Sequence, residues 1–163
     1  MVLGLPLETF TQLHLGISLV AIVAGVLFFA GLADGNWFKP VNFVFLVFTF
    51  LTSVTGFLFP PEPIGPPFIF GAITLVVLAV ALYALYGRKV AGSWRATYLA
   101  AVLFAQWLNL IVLVVQAFRK VPTLNALAPT GSEPPFVAAQ ALAALLVAVL
   151  GWKTIRGGKV RPA

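Results

Sequence analysis

Cysteine is absent from the 163 residues, histidine occurs once, and Asp and Glu together number four. With no cysteine there is no disulfide framework, no thiolate metal site, no Fe–S cluster and no thiol nucleophile. A single histidine excludes bis-histidine haem ligation within one chain. Charge of either sign is scarce, at 9% of residues, while 61% are hydrophobic. Soluble domains run near 25% charged, and a water-soluble fold of this size could not cover its surface with so few charges. The excess apolar surface calls for lipid as its solvent. Length sets one compact bundle rather than several domains. The formal charge of +6 is no signature of nucleic-acid binding, because the basic residues sit in short connections between apolar segments, where membrane topology puts them.

What the chain has in plenty is long apolar runs. A bilayer core of roughly 30 Å needs about 20 apolar helical residues, and five segments qualify: 13–32, 41–59, 68–86, 96–118 and 136–152, none with Asp, Glu, Lys or Arg. They are bounded by Asp34-Gly35-Asn36, Pro60-Pro61-Glu62-Pro63, Gly87-Arg88-Lys89 and Pro134-Pro135. Lipid offers no partner to exposed N–H and C=O groups, so the spans must be helical. A β-barrel would need alternating polarity, which these segments lack. The expected fold is therefore an all-α integral membrane bundle of about five transmembrane helices. Residues 1–12 hold no Lys or Arg and include Glu8, unlike a signal peptide's basic leader, so the first span reads as a retained helix. The odd span count argues against the duplicated halves of many transporters.

Charge orients the bundle. Lys39, Arg88, Lys89, Arg95, Lys153, Arg156, Lys159 and Arg161 collect on one face and only Arg119 and Lys120 on the other. That bias predicts the N-terminus outside and the C-terminus in the cytoplasm. Trp37, Trp94, Trp152, Tyr83, Tyr86 and Tyr98 fall at the same cytoplasmic ends, as an interfacial belt would, and Glu8, Glu62 and Glu133 lie on the outer face.

Depth along the spans, at 1.5 Å per residue, puts Ser53 and Thr55 roughly 18–21 Å from the inner boundary. Gln106 and Asn109 come near mid-depth, Gln116 close to the outer surface, and His14 and Gln140 near the outer ends of their helices. The polar side chains thus converge on the outer half, with the inner half nearly bare. Gln106, Asn109, Gln116 and Lys120 form one stripe on the fourth span, which should face protein or a wet cavity. Interhelical hydrogen bonding accounts for such a stripe without any ligand, and a pocket accounts for it as well. His14 suits a proton carrier or a haem ligand whose second axial partner comes from elsewhere, and equally an interfacial histidine. Thr52-Ser53-Val54-Thr55-Gly56 can bond back onto the preceding turn, with Gly56 allowing close approach. No carboxylate in a span completes a Ser–His triad, so no catalytic residue is assigned. Ala21/Gly25, Ala139/Ala143 and Ala144/Ala148 have the spacing of close helix packing.

Residues 59–68 are too proline-rich for helix and read as a stiff extended turn. The 17 residues from Arg119 to Pro135 form a long connection of the kind that serves as a lid or ordered cap, with Leu124, Ala126, Leu127 and Ala128 able to lie flat over the bundle. The stretches TSVTGFLFP (52–60) and VQAFRKVPTLNALAPTGSEPPF (115–136) resemble those of small bacterial multipass inner-membrane proteins that have no assigned activity. The resemblance implies a bacterial inner membrane and supplies no catalytic residue. The leading functional expectation is a non-enzymatic membrane protein with an outer-leaflet pocket for a lipid-like or hydrophobic small molecule, formed by His14, Ser53, Thr55, Gln106, Asn109, Gln116 and Gln140 beneath a lid carrying Glu133. An accessory subunit of a larger membrane complex, a homo-oligomer, a haem- or quinone-associated redox protein and a facilitator of neutral solutes are the competing readings.

The topology is directly testable, because no native thiol interferes. In intact cells an impermeant thiol reagent should label Ala126→Cys and reach Ala91→Cys only after permeabilisation. The reverse pattern would invert the bundle.

Overall fold

The structure is a computed structural model that describes residues 1–60 and 65–156. Helix α1 (Leu7–Ala33) follows Pro6 and stops where the Asp34 N–H bonds back to Ala30 O and Gly35 takes a φ of +81°. Helix α2 (Lys39–Gly56) and helix α3 (Pro66–Leu82) each carry proline in the first turn, at Pro40 and Pro66, where its missing N–H would have had no helical partner. A π turn, Tyr83–Gly87, ends α3, with Arg88 N–H donating to Tyr83 O at 3.0 Å. There follow α4 (Trp94–Lys120), the short α5 (Pro122–Leu127) and α6 (Pro134–Arg156). Five of these helices are long and apolar enough to cross a membrane, which fits a multipass membrane protein. Lys159, Arg161 and four residues of the proline-rich turn, 61–64 with Glu62 among them, lie outside the described residues.

The helices cover the expected spans with shifted ends. Helix α1 begins at Leu7 rather than 13, since Glu8, Thr9, Thr11 and Gln12 are polar yet helical, and hydropathy registers only the first property. Helix α2 ends at Gly56 rather than 59, because Phe57 and Leu58 close turns onto Val54 and Thr55.

Neighbours in the bundle run α1–α2–α3–α4–α6 and back to α1, a closed ring with α1 and α4 also touching across it. Side-chain meetings fix the directions. His14 meets Thr55 while a side chain at Gly25 would meet Phe45, so α1 and α2 are antiparallel. Asn42 meets Tyr98 and Thr49 meets Asn109, so α2 and α4 are parallel. One end of the bundle therefore holds residues 1–6, 57–60 and 121–133, and is called the N-terminal end below. The opposite end holds residues 34–38 and 88–93.

The largest apolar core lies toward the opposite end, around Phe28, Phe29, Phe45, Leu78 and Val102. Here two expectations are corrected. Tyr98 is no belt residue. Its ring is fully buried, its hydroxyl donates to Asn42 Oδ1 at 2.6 Å, and Trp37 stacks on it at 5.5 Å. Nor is this half bare of polar groups, since Asn42 and Tyr98 form a buried pair within it. Tyr83, Tyr86 and Trp152 do point outward, with Arg156 over the Trp152 ring at 4.1 Å. Val90 takes a φ of +46°, unfavourable for a β-branched residue. Its side chain is buried in the core and its N–H bonds to Ala84 O at 2.9 Å, which together hold it there.

Gly25 is where α1 and α4 approach. A methyl group there would overlap the Gln106 carboxamide and come within 3.0 Å of Phe45. Gly25→Ala should therefore lower stability by about 1–3 kcal/mol through overpacking, although alanine by itself favours helix by up to about 1 kcal/mol. Gly16, with open space around its Cβ direction, should gain from the same change. Denaturation in detergent checks both, and a stabilised Gly25→Ala would refute the close approach.

Candidate functional site

The one histidine is engaged by the neighbouring helix. His14 Nδ1 lies 2.8 Å from Thr55 Oγ1, and that hydroxyl donates to Leu51 O at 2.7 Å. Since the threonine proton is committed to its own helix, Thr55 accepts, and Nδ1 of His14 is the protonated nitrogen. Phe59 packs edge-on against the imidazole at 5.2 Å, and Phe10 against Phe59 at 5.0 Å. Gly56 leaves room for the ring, with His14 Cε1 3.7 Å from where a Cβ would stand.

Deeper in the bundle, Asn109 Nδ2 donates to Thr49 Oγ1 at 3.2 Å, and Ser53 Oγ donates to Thr49 O at 3.1 Å. Gln106 is fully buried and its Nε2 donates to Ile22 O at 3.1 Å. Its Oε1 has no partner among the described residues. Gln140 of α6 reaches Ile111 O of α4 at 3.3 Å. The sequence-predicted stripe is therefore interior at Gln106 and Asn109, and the outer candidates fall into separate contacts. The structure pairs His14 with Thr55, and Asn109 with Thr49 beside Ser53. It does not gather the eight candidates around one cavity.

A cleft of about 420 Å³ does open at the N-terminal end, between the start of α3, the last turns of α4 and the loop that follows. Phe70, Val112, Val115 and Phe136 give it apolar walls, and Gln116, Arg119 and Asn125 give it polar atoms. Of the predicted site residues, Gln116 alone lines it. The loop is an ordered cap. Asn125 Nδ2 donates to Phe118 O at 3.1 Å, Phe118 meets Phe136 edge-on at 5.4 Å, and Ala128 is buried while Leu127 points out. Glu133 belongs to this cap rather than to the cleft wall. Its Oε1 accepts the Thr130 N–H and its Oε2 the Ser132 N–H, both at 3.0 Å.

Arg119 and Asn125 were not among the candidates. Arg119 stands three residues after Gln116, on the same helix face, and that spacing was a usable signal. Asn125 joins the cleft only because the loop folds back, and no local pattern announces that. Among the described residues no cluster of three His, Cys, Asp or Glu could hold a metal ion. No family model, curated protein or solved structure matches the chain.

The Glu133 hydrogen bonds carry a pH dependence. Those from the Thr130 backbone, foremost, and from Ser132 hold its carboxyl at about 2, below its ordinary 4.5. A depressed folded-state value favours the folded loop above pH 4.5, and the benefit is lost as pH falls from there toward 2. Thermal unfolding followed between pH 5 and 2 should show a loss of stability that is smaller in Glu133→Gln. Identical slopes in the two proteins would remove the carboxylate from the cap.

Proposed function

We propose that the chain is a multipass protein of the bacterial cytoplasmic membrane, non-enzymatic, that binds a lipid-like or other hydrophobic small molecule in the cleft at its N-terminal end. The cleft carries this reading. It is apolar over most of its wall and polar at one edge, the make-up of sites that take small hydrophobic ligands. The pairwise bonds of His14, Asn109 and Gln140 favour a scaffold role for those residues, so the site moves from the expected outer-half cluster to Gln116 and its surroundings. The orientation rests on charge. Lys39, Arg88, Lys89 and Lys153 all belong to the opposite end, together with the outward Tyr83, Tyr86 and Trp152, so that end is read as cytoplasmic. The cleft then opens in the outer leaflet.

Filling the cleft tests the idea. Val115→Trp should reduce copurifying small molecules, measured by mass spectrometry from mild detergent, by about tenfold or more, with folding intact. His14→Ala should instead lower thermal stability and leave the bound molecules in place. Unchanged ligand content in Val115→Trp would reject the cleft and favour the accessory-subunit reading.

A further inference from the structure

On the reading that the cleft is a binding site, its polar edge narrows the ligand. Gln116 and Arg119 are on one face of α4 and both line the cleft. Among the described residues neither side chain makes a hydrogen bond or an ion pair. Among the described residues the acids of this end form no ion pair with them. Glu133 has both oxygens engaged by its own loop, and Glu8 is exposed on the first turn of α1. Lys120, next in the chain, is a second exposed cation at this end. A guanidinium fork matches two oxygens of a phosphate, and the Gln116 carboxamide offers another N–H.

Position matters as much as charge. Helix α4 has 27 residues, about 40 Å at 1.5 Å per residue, against a hydrocarbon core of roughly 30 Å. Its last turn, with Arg119, therefore reaches head-group depth. Along the same seam between α3 and α4 lies a second groove, of about 450 Å³, walled by Val76, Val80, Ala101 and Phe104. From residue 70 to residue 80 the seam runs about 15 Å, half of the hydrocarbon core.

The geometry points to an anionic phospholipid as the ligand, its phosphodiester against Arg119 and Gln116 and an acyl chain laid along the seam between α3 and α4. A zwitterionic head would bring its own cation toward Arg119, and among the described residues no carboxylate lines the cleft to pair it. An uncharged glyceride would leave the guanidinium without a counter-ion.

Native mass spectrometry of the full-length protein, offered phosphatidylglycerol, phosphatidylcholine, diacylglycerol and palmitate in equal amounts, tests this. Phosphatidylglycerol should be retained about tenfold over the zwitterionic and neutral lipids, as a charge-assisted pair predicts. Arg119→Gln should erase the preference without changing diacylglycerol retention. Arg119→Lys should keep part of it, and Gln116→Ala should weaken it. Arg119 is exposed, and circular dichroism and gel filtration would verify that each variant folds. Equal retention of phosphatidylglycerol and diacylglycerol, both lost in Val115→Trp, would overturn the anionic assignment and leave the cleft standing. Retention indifferent to Val115→Trp would remove the cleft itself. Palmitate outcompeting phosphatidylglycerol would overturn the choice of a phospholipid.

Discussion

Gln106 reaches from α4 across the middle of the ring to a backbone carbonyl of α1, and the absence of a side chain at Gly25 makes room for it. Helices this apolar gain little from hiding their surfaces in a hydrocarbon medium. Their association there depends on close packing and on hydrogen bonds that cross from one helix to another. Gly25 supplies the first and Gln106 the second, at one point. That contact sets the separation of α1 and α4, which touch across the ring rather than along it. Phe45 of α2 shares the position, so three helices are registered by one amide. The Gln106 Oε1 has no partner among the described residues, at a cost of about 1–3 kcal/mol. The Nε2 bond and the close packing around Gly25 offset it.

Several other interior polar groups repeat this solution between other helices. Asn42 with Tyr98 and Asn109 with Thr49 tie α2 to α4 at two levels. The pairs are seven residues apart on α2 and eleven on α4, about 10 Å and 16 Å along the axes. The difference is absorbed by the reach of the tyrosine ring. Gln140 ties α6 to α4, and His14 ties α1 to α2. Each bond engages side chains that would be costly to bury unpaired. Groups paired in this way hold helices in place and have little capacity left for a ligand.

How much of this was legible follows from what each signal measures. Span number and the burial of Gln106 and Asn109 were readable because polarity within an apolar run has one economical resolution, an inward face. Helix ends were less readable, since Leu7–Gln12 is helical without being apolar. Tyr98 was misread because position along a helix gives depth and not azimuth. It stands at belt depth, yet its face of α4 turns to Trp37 and Asn42 rather than outward. The cleft lay beyond local reading, because its wall joins residues of α3, α4, α5 and α6 brought together by a folded loop.

That loop makes the N-terminal end different from the rest of the bundle. Pro122 starts a six-residue helix, too short to be stable alone, so α5 depends on what surrounds it. The Asn125 bond to the last carbonyls of α4, the Phe118–Phe136 contact and the Glu133 clasp supply that support. Two of these anchors, Phe118 and Phe136, belong to the long helices and also border the cleft. The loop is therefore fixed on the α4–α6 side and leaves a gap toward α3. Polar groups that the bundle has paired are inside it, and Gln116 and Arg119, which it has not paired, border that gap. Unmet hydrogen-bonding capacity and open volume coincide there, and it is that coincidence, more than the number of polar residues, that separates a candidate binding site from structural hydrogen bonding in this chain.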